Sequence, residues 1–338
     1  MYNYVLFGIS DGYYRTIFNE LEDEKNVKML GDIVPVRAGK LLKQIWKFHL
    51  SPKINAFIRL PLKGIWYKQY FENSFDNTDP ICFVFTGGQY LYYDYFRYLK
   101  RRYPDCKIVF SMRDTMKTYS SYPGFDIRKI TESCDAIMSF NKYDCEKYGF
   151  QFFNGEQSYV PVQTAPDYPI SDLFFAGLAK DRFHVLKEIY DQCVKQGIKC
   201  DFYVVRLPRE EQVELPGITY SEKGMPYEEM LYRTVNSGCV LEISQKDAYG
   251  FTSRAFEAIL YNKKLLTDSL VVRDQKFMDS GYIQFFEDPA EIDYDFIKKD
   301  LGKIDYQYNG EYSPKMTLKA IEDAINSQNE KRSRADHD

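Results

Sequence analysis

The chain has no paired cysteines to build on. Its seven, Cys82, Cys106, Cys134, Cys145, Cys193, Cys200 and Cys239, are odd in number and scattered, and none stands in a CxxC. That argues against a disulfide framework and a structural zinc site, and for the reducing cytoplasm. No uninterrupted apolar run reaches the roughly 20 residues a spanning helix needs. Met1 leads directly into Tyr4-Val5-Leu6-Phe7-Gly8, which reads as a first strand and not a secretory leader. Gly8-x-x-x-Gly12 misses the GxGxxG fingerprint, so a nicotinamide-dependent reductase is not expected. The GxxxxGK[ST] loop, the serine nucleophile elbow and the HExxH zinc helix are absent as well. Excess positive charge is also missing: the net charge of −4 is not that of a general nucleic-acid binder, and no nucleic-acid partner is expected.

What is present is a long alternation of short apolar runs and helical patterns, the mark of parallel βαβ units. With 338 residues and 44% apolar content, the chain can fill two cores. Strands are expected at Tyr4–Ile9, Ile81–Phe85, Lys107–Ser111 and Ala136–Phe140, with helices at Tyr13–Leu21, Tyr90–Arg101 and Lys142–Tyr148. A polar, proline-bearing stretch, Gln163–Asp172, reads as a linker. The pattern then restarts: strands at Leu173–Ala176, Lys199–Val205, Ile218–Tyr220, Cys239–Ile243 and Lys264–Thr267, helices at Arg182–Gln196, Tyr227–Ser237 and Ser253–Tyr261. The expected division is residues 1–165, 166–313, a closing helix over 314–330 and a polar tail over 331–338.

Two segments have the makings of a site. In the first, a strand ending near Ile243 is followed by a polar loop, then Gly250, then a helix starting near Ser253. Amides at a helix start, with the dipole behind them, suit a diphosphate, and Gly250 permits close approach. Glu257, one turn into that helix, has a carboxylate able to accept two ribose hydroxyls. The plainer reading is an ordinary strand–loop–helix with a surface glutamate. In the second segment, Gly177 stands at the end of a strand, where open α/β sheets bind ligands. Lys180 and Arg182 follow, two cations able to neutralise a departing diphosphate as a metal would elsewhere. A solvated basic turn is the alternative.

The stretches FAGLAKDR, GIKCDFYVV and LEISQKDAYGFTSRAFEAILYNKKLLT resemble GT-B glycosyltransferases of bacterial capsule, exopolysaccharide and lipopolysaccharide clusters, over roughly residues 170–270. The resemblance implies two Rossmann-like α/β domains with the active site in the cleft between them. It implies a UDP-sugar or related nucleotide-sugar donor on the C-terminal domain and an acceptor on the N-terminal one. Gly177, Lys180 and Arg182 would hold the diphosphate; Gly250, Thr252 and Ser253 would form the phosphate loop, with Arg254 a second cation and Glu257 the ribose contact. Neither metal nor cofactor is expected. Many retaining members carry two glutamates eight positions apart, and the first position is Tyr249 here, which leans towards inversion.

Inversion needs a general base for the acceptor hydroxyl. Asp11, after the first strand, and Asp114, after Lys107–Phe110, stand at strand ends. Arg113 beside Asp114 offers an orienting cation and tips the choice towards it, though either aspartate also suits a turn or helix cap. The three histidines are poorly placed: His49 in a basic region, His184 in a helix and His337 in the tail.

Between Asp32 and Glu72 there is no acidic residue, but there are Arg37, Lys40, Lys43, Lys47, Lys53, Arg59, Lys63 and Lys68 and both tryptophans, Trp46 and Trp66. Leu41, Leu42, Ile45, Trp46 and Phe48 fit a helix with apolar and basic sides. Residues 33–71 are therefore expected to make peripheral contact with an anionic membrane on its cytoplasmic face, as suits a polyprenyl-linked or glycan acceptor; a helix packed on the first sheet with a solvated rim is the plainer reading. Two other functions fit the architecture: a nucleotide-sugar 2-epimerase, against which the shortage of histidine counts, and a non-catalytic nucleotide-binding assembly protein.

Overall fold

The computed structural model describes residues 1–9, 12–31, 39–58, 60–86, 93–122, 125–244 and 250–335. The chain forms two compact units: Met1–Glu156 with Ser313–Asp338, and Gln157–Tyr312.

The first unit is built on β1 (Asn3–Phe7), β2 (Val27–Leu30), β3 (Ile81–Thr86), β4 (Lys107–Ser111), β5 (Ala136–Ser139) and β6 (Gln151–Phe152), in the order β2-β1-β3-β4-β5-β6 and all parallel. The second uses β7 (Ser171–Leu178), β8 (Cys200–Val205), β9 (Ile218–Ser221), β10 (Ser237–Glu242), β11 (Lys264–Thr267) and β12 (Ile283–Phe285), in the order β12-β11-β10-β7-β8-β9, again all parallel. Helices of eight residues or more, among the described residues, are α1 (Lys40–His49), α2 (Tyr93–Arg102), α3 (Phe183–Lys195), α4 (Tyr227–Asn236), α5 (Ser253–Leu260) and α6 (Pro314–Ala335).

The continuous apolar runs are explained by burial on both faces. Along β1, Val5 and Phe7 enter one core with Phe83, Phe85 and Tyr95, while Tyr4 and Leu6 enter another with Val84 and Met138. That second layer is closed by α6, whose Ile321, Ala324 and Ile325 pack into it. Gly8 stands at the end of β1 with φ +95°, and a Cβ there would meet Thr86 Oγ1 at 2.3 Å. Only glycine lets the ends of β1 and β3 approach so closely.

The boundaries differ from the expected ones. The division falls between Glu156 and Gln157, and α6 belongs to the first unit. The stretch Gln163–Asp172, expected as a linker, lies inside the second unit. Asn236 at the end of α4 bonds the backbone of Ala165 in both directions, at 2.8 and 3.2 Å, and accounts for Tyr168 O at 3.1 Å. Tyr168 also stacks on Tyr232, with ring centroids 5.3 Å apart. A polar, proline-bearing composition is equally that of a strap held by side-chain hydrogen bonds. The closing helix runs through the expected tail as far as Ala335.

Candidate functional site

Read from β9, the second sheet runs β9-β8-β7-β10-β11-β12. The order in which successive strands are added therefore reverses between β7 and β10, while the strands themselves stay parallel. Ligands of open α/β sheets bind outside the carboxyl ends of the strands at such a switch point.

Arg182 spans that point. Its guanidinium donates from one nitrogen to Leu178 O, at the end of β7, at 2.7 Å, and from the other to Ile243 O, just past β10. Its Nε is buried without a hydrogen-bond partner among the described residues. Burial lowers the Arg182 pKa, while Asp268, Asp181 and Glu242 work in the opposite direction. Gly177 supports this placement, because a Cβ there would come 3.3 Å from the guanidinium and 3.2 Å from the Phe175 ring. The Phe175 ring also lies 5.9 Å from the guanidinium carbon. An arginine held across two strand ends presents a fixed positive charge where an anion would arrive.

On the β10 side the key residue is Glu242, which sequence reasoning passed over. It is buried at the last position of β10. One of its oxygens accepts the Thr267 hydroxyl at 2.5 Å, and the other accepts the Thr252 hydroxyl. Burial raises its pKa against the pull of those two donors. Thr252 is the N-cap of α5, its hydroxyl oxygen accepting from Arg254 N at 3.2 Å. One buried carboxylate thus ties β10, β11 and the start of α5 together, and Asp268 adds a second tie by accepting from Ser244 N at 2.6 Å. The signal for Glu242 was in the sequence: an acid closing an apolar strand must be satisfied by something.

The remaining expected residues are distributed as follows. Gly250 is buried and directly follows residues 245–249, which lie outside the described residues, Tyr249 among them. Ser253 opens α5. The Thr252 hydroxyl, expected in the phosphate loop, is already engaged at both ends, as donor to Glu242 and acceptor from Arg254 N. Arg254 and Glu257 are the largest departure. They stand three apart on α5 and form a buried ion pair at 2.5 Å. Glu257 is 0% exposed, and burial pushes it up to about 7 in spite of Arg254. The residues expected as ribose contact and second cation thus form a closed pair, and the plainer reading of a surface glutamate does not hold, because α5 sinks every residue from Arg254 to Leu260 into the core. The side chain of Lys180 lies outside the described residues.

In the first unit, Asp114 is exposed after β4 and accepts from Thr115 N at 2.8 Å, the geometry of a turn aspartate. Arg113 does not serve it. Its guanidinium pairs with buried Glu156, lies 5.0 Å from the Phe18 ring, and is lowered to about 10 by burial. Thr317 of α6 donates to the same Glu156 at 2.8 Å. Arg113 therefore secures the last helix and does not orient Asp114. Asp11 lies outside the described residues.

No protein-family model matches the chain, and no curated protein matches it. Among solved structures, an alpha-glucosyltransferase in complex with UDP and a 13-mer DNA containing a HMU base is similar at 11% identity and a TM-score of 0.55, covering 96% of this chain and 99% of that one. An alpha-glucosyltransferase in complex with UDP-glucose and DNA containing an abasic site is similar at 12% identity and a TM-score of 0.52, with the same coverage. At such identities the likeness is one of fold: two parallel-sheet α/β domains of the GT-B type, six strands in each.

Proposed function

We propose that the chain is a glycosyltransferase that moves a sugar from a nucleotide-diphosphate donor, a UDP-sugar, to a lipid-linked or growing glycan acceptor. The observation that supports this most is Arg182, whose guanidinium is fixed across the ends of β7 and β10, its buried Nε–H without a partner among the described residues. It sits at the switch point of a fold shared with a UDP-bound alpha-glucosyltransferase. The donor diphosphate is assigned to Arg182, Gly177 and the first amides of α5, the acceptor to the first unit. A fixed arginine and a helix start can meet the charge of a leaving diphosphate, so we infer transfer without a divalent ion. Asp114 is the exposed carboxylate we assign as base, and with Tyr249 in place of a glutamate the transfer is assigned as inverting. Cytoplasmic residence goes with the nucleotide-sugar supply and the unpaired cysteines.

A thermal-shift screen of UDP, GDP and dTDP and their sugars in EDTA tests the reading. One nucleotide should raise the midpoint, and Arg182→Ala should abolish the rise. Failure of every nucleotide to stabilise the folded protein would remove the assignment. With the donor identified, Asp114→Asn should leave the shift intact and stop transfer, and NMR should show an inverted anomeric centre. An epimerised nucleotide sugar formed without acceptor would reassign the chain to the epimerases.

A further inference from the structure

The segment from Gly39 to Phe71 is a surface the transfer chemistry leaves unused. Its helix α1 has three sides. Trp46 and Leu50, four apart, are buried in the first unit's core. Trp66 joins them there, its indole N–H donating to His49 Nδ1 at 2.8 Å while His49 Nε2 meets Pro61 O at 2.7 Å. The segment is therefore anchored, and what it exposes is set by the fold.

It exposes apolar side chains. Leu41, Ile45 and Phe48 recur at helical spacing on a second side of α1, with Leu42 next to them, and Leu41 and Phe48 are 72% and 60% exposed. Beyond the helix, Phe57 and Leu62 are 91% and 77% exposed. The third side of α1 carries Lys40, Lys43 and Lys47, all exposed, and Lys68 is exposed further on. Only Lys63 has a carboxylate partner among the described residues, Asp94 at 2.7 Å. No acid stands anywhere from residue 33 to 71, while the rest of the chain carries an excess of negative charge.

We propose that this face docks on an anionic lipid bilayer. Charge complementarity selects the occupant. A second copy of this chain would bring the same lysines against these and is repelled, whereas a nucleic acid would meet the lysines but leave Phe57 and Leu62 in water. A bilayer of anionic headgroups over acyl chains satisfies both sets at once, the lysine stems reaching headgroup level while the apolar side enters the interface. No helix among the described residues is long and apolar enough to cross a membrane, so the contact is one of surface docking. The proposal is independent of the transfer reading, since docking needs no donor.

Flotation of the full chain, without nucleotide, on vesicles of phosphatidylcholine alone and of phosphatidylcholine with a third phosphatidylglycerol is the test. Binding is expected only to the anionic vesicles and should collapse in high salt. Each lysine near the surface changes partitioning about fivefold, so Lys40→Gln/Lys43→Gln/Lys47→Gln should weaken it on the order of a hundredfold. Leu41→Ser/Phe48→Ser, changed only at exposed positions, should abolish binding with an unaltered circular dichroism spectrum. Equal failure on both vesicles, or equal binding to both, overturns the proposal. So does a lipid-free dimer that Leu41→Ser/Phe48→Ser dissociates, or duplex-DNA binding that the same variant leaves unchanged.

Discussion

At Glu257, burial raises the carboxyl to about 7 from the 4.5 of an exposed group, although Arg254 draws it down. Between those two values the folded chain holds a proton that the unfolded chain has released, so stability falls as pH rises through the window and levels off above it. At about 1.4 kcal/mol per unit the loss is on the order of 3 kcal/mol. Urea unfolding of the wild type and Glu257→Gln at pH 5, 6, 7 and 8 checks this: the decline should be present in the first and flattened in the second. A parallel decline in both would assign the slope to other groups. The pairing was half-legible beforehand, because residues three apart on a helix are neighbours. What the residue types alone withheld was depth. Only the packing of α5 shows that neither charge reaches solvent, and only the placement of β11 shows that Glu242 has Thr267 as a partner.

Among elements, the start of α5 depends on one hydroxyl that caps the helix and satisfies a buried carboxylate. Thr252→Ala removes both functions. Loss of the cap costs about 1 kcal/mol, and a buried acceptor left without its donor adds about 1–3 kcal/mol. Thr252→Ser should restore most of this, a comparison that chemical denaturation measures directly; equal stability of the alanine and serine variants would deny the bridge. Strands buried on both faces were readable as apolar runs, several to within a residue, as at Lys107–Ser111 and Lys264–Thr267. Three edge strands were not. Val27–Leu30 is only half-buried, Gln151–Phe152 has two residues, and Ile283–Phe285 carries a glutamine at its centre. An edge strand owes its pairing to the neighbour already in place and needs less apolar sequence of its own.

For the molecule as a whole, the first unit is completed by α6. Ile321, Ala324 and Ile325 fill a core begun by Tyr4 and Leu6, and Lys315 reaches Glu24 at 2.5 Å. Ending the chain at Tyr312 would uncover that layer and orphan Glu156 from Thr317. The truncated protein is expected to unfold its first unit at a much lower denaturant concentration, with the second unit's transition unchanged, so two transitions should appear by tryptophan fluorescence and far-UV circular dichroism. Both tryptophans, Trp46 and Trp66, report on the first unit alone. A single unshifted transition would show α6 to be dispensable.

The bond from Gln157 N to Tyr312 O, 2.8 Å long, joins the two places where the chain enters and leaves the second unit. On the ribosome, that enclosed portion has all of its residues available before the helix that finishes the opening domain has been translated. The part made first is the part that must wait, one face of its sheet only partly covered, by Ile17, Phe18 and Leu21, until α6 emerges. A nascent-chain protease assay at successive lengths should therefore find the later-synthesised body resistant while the earlier one is still cut.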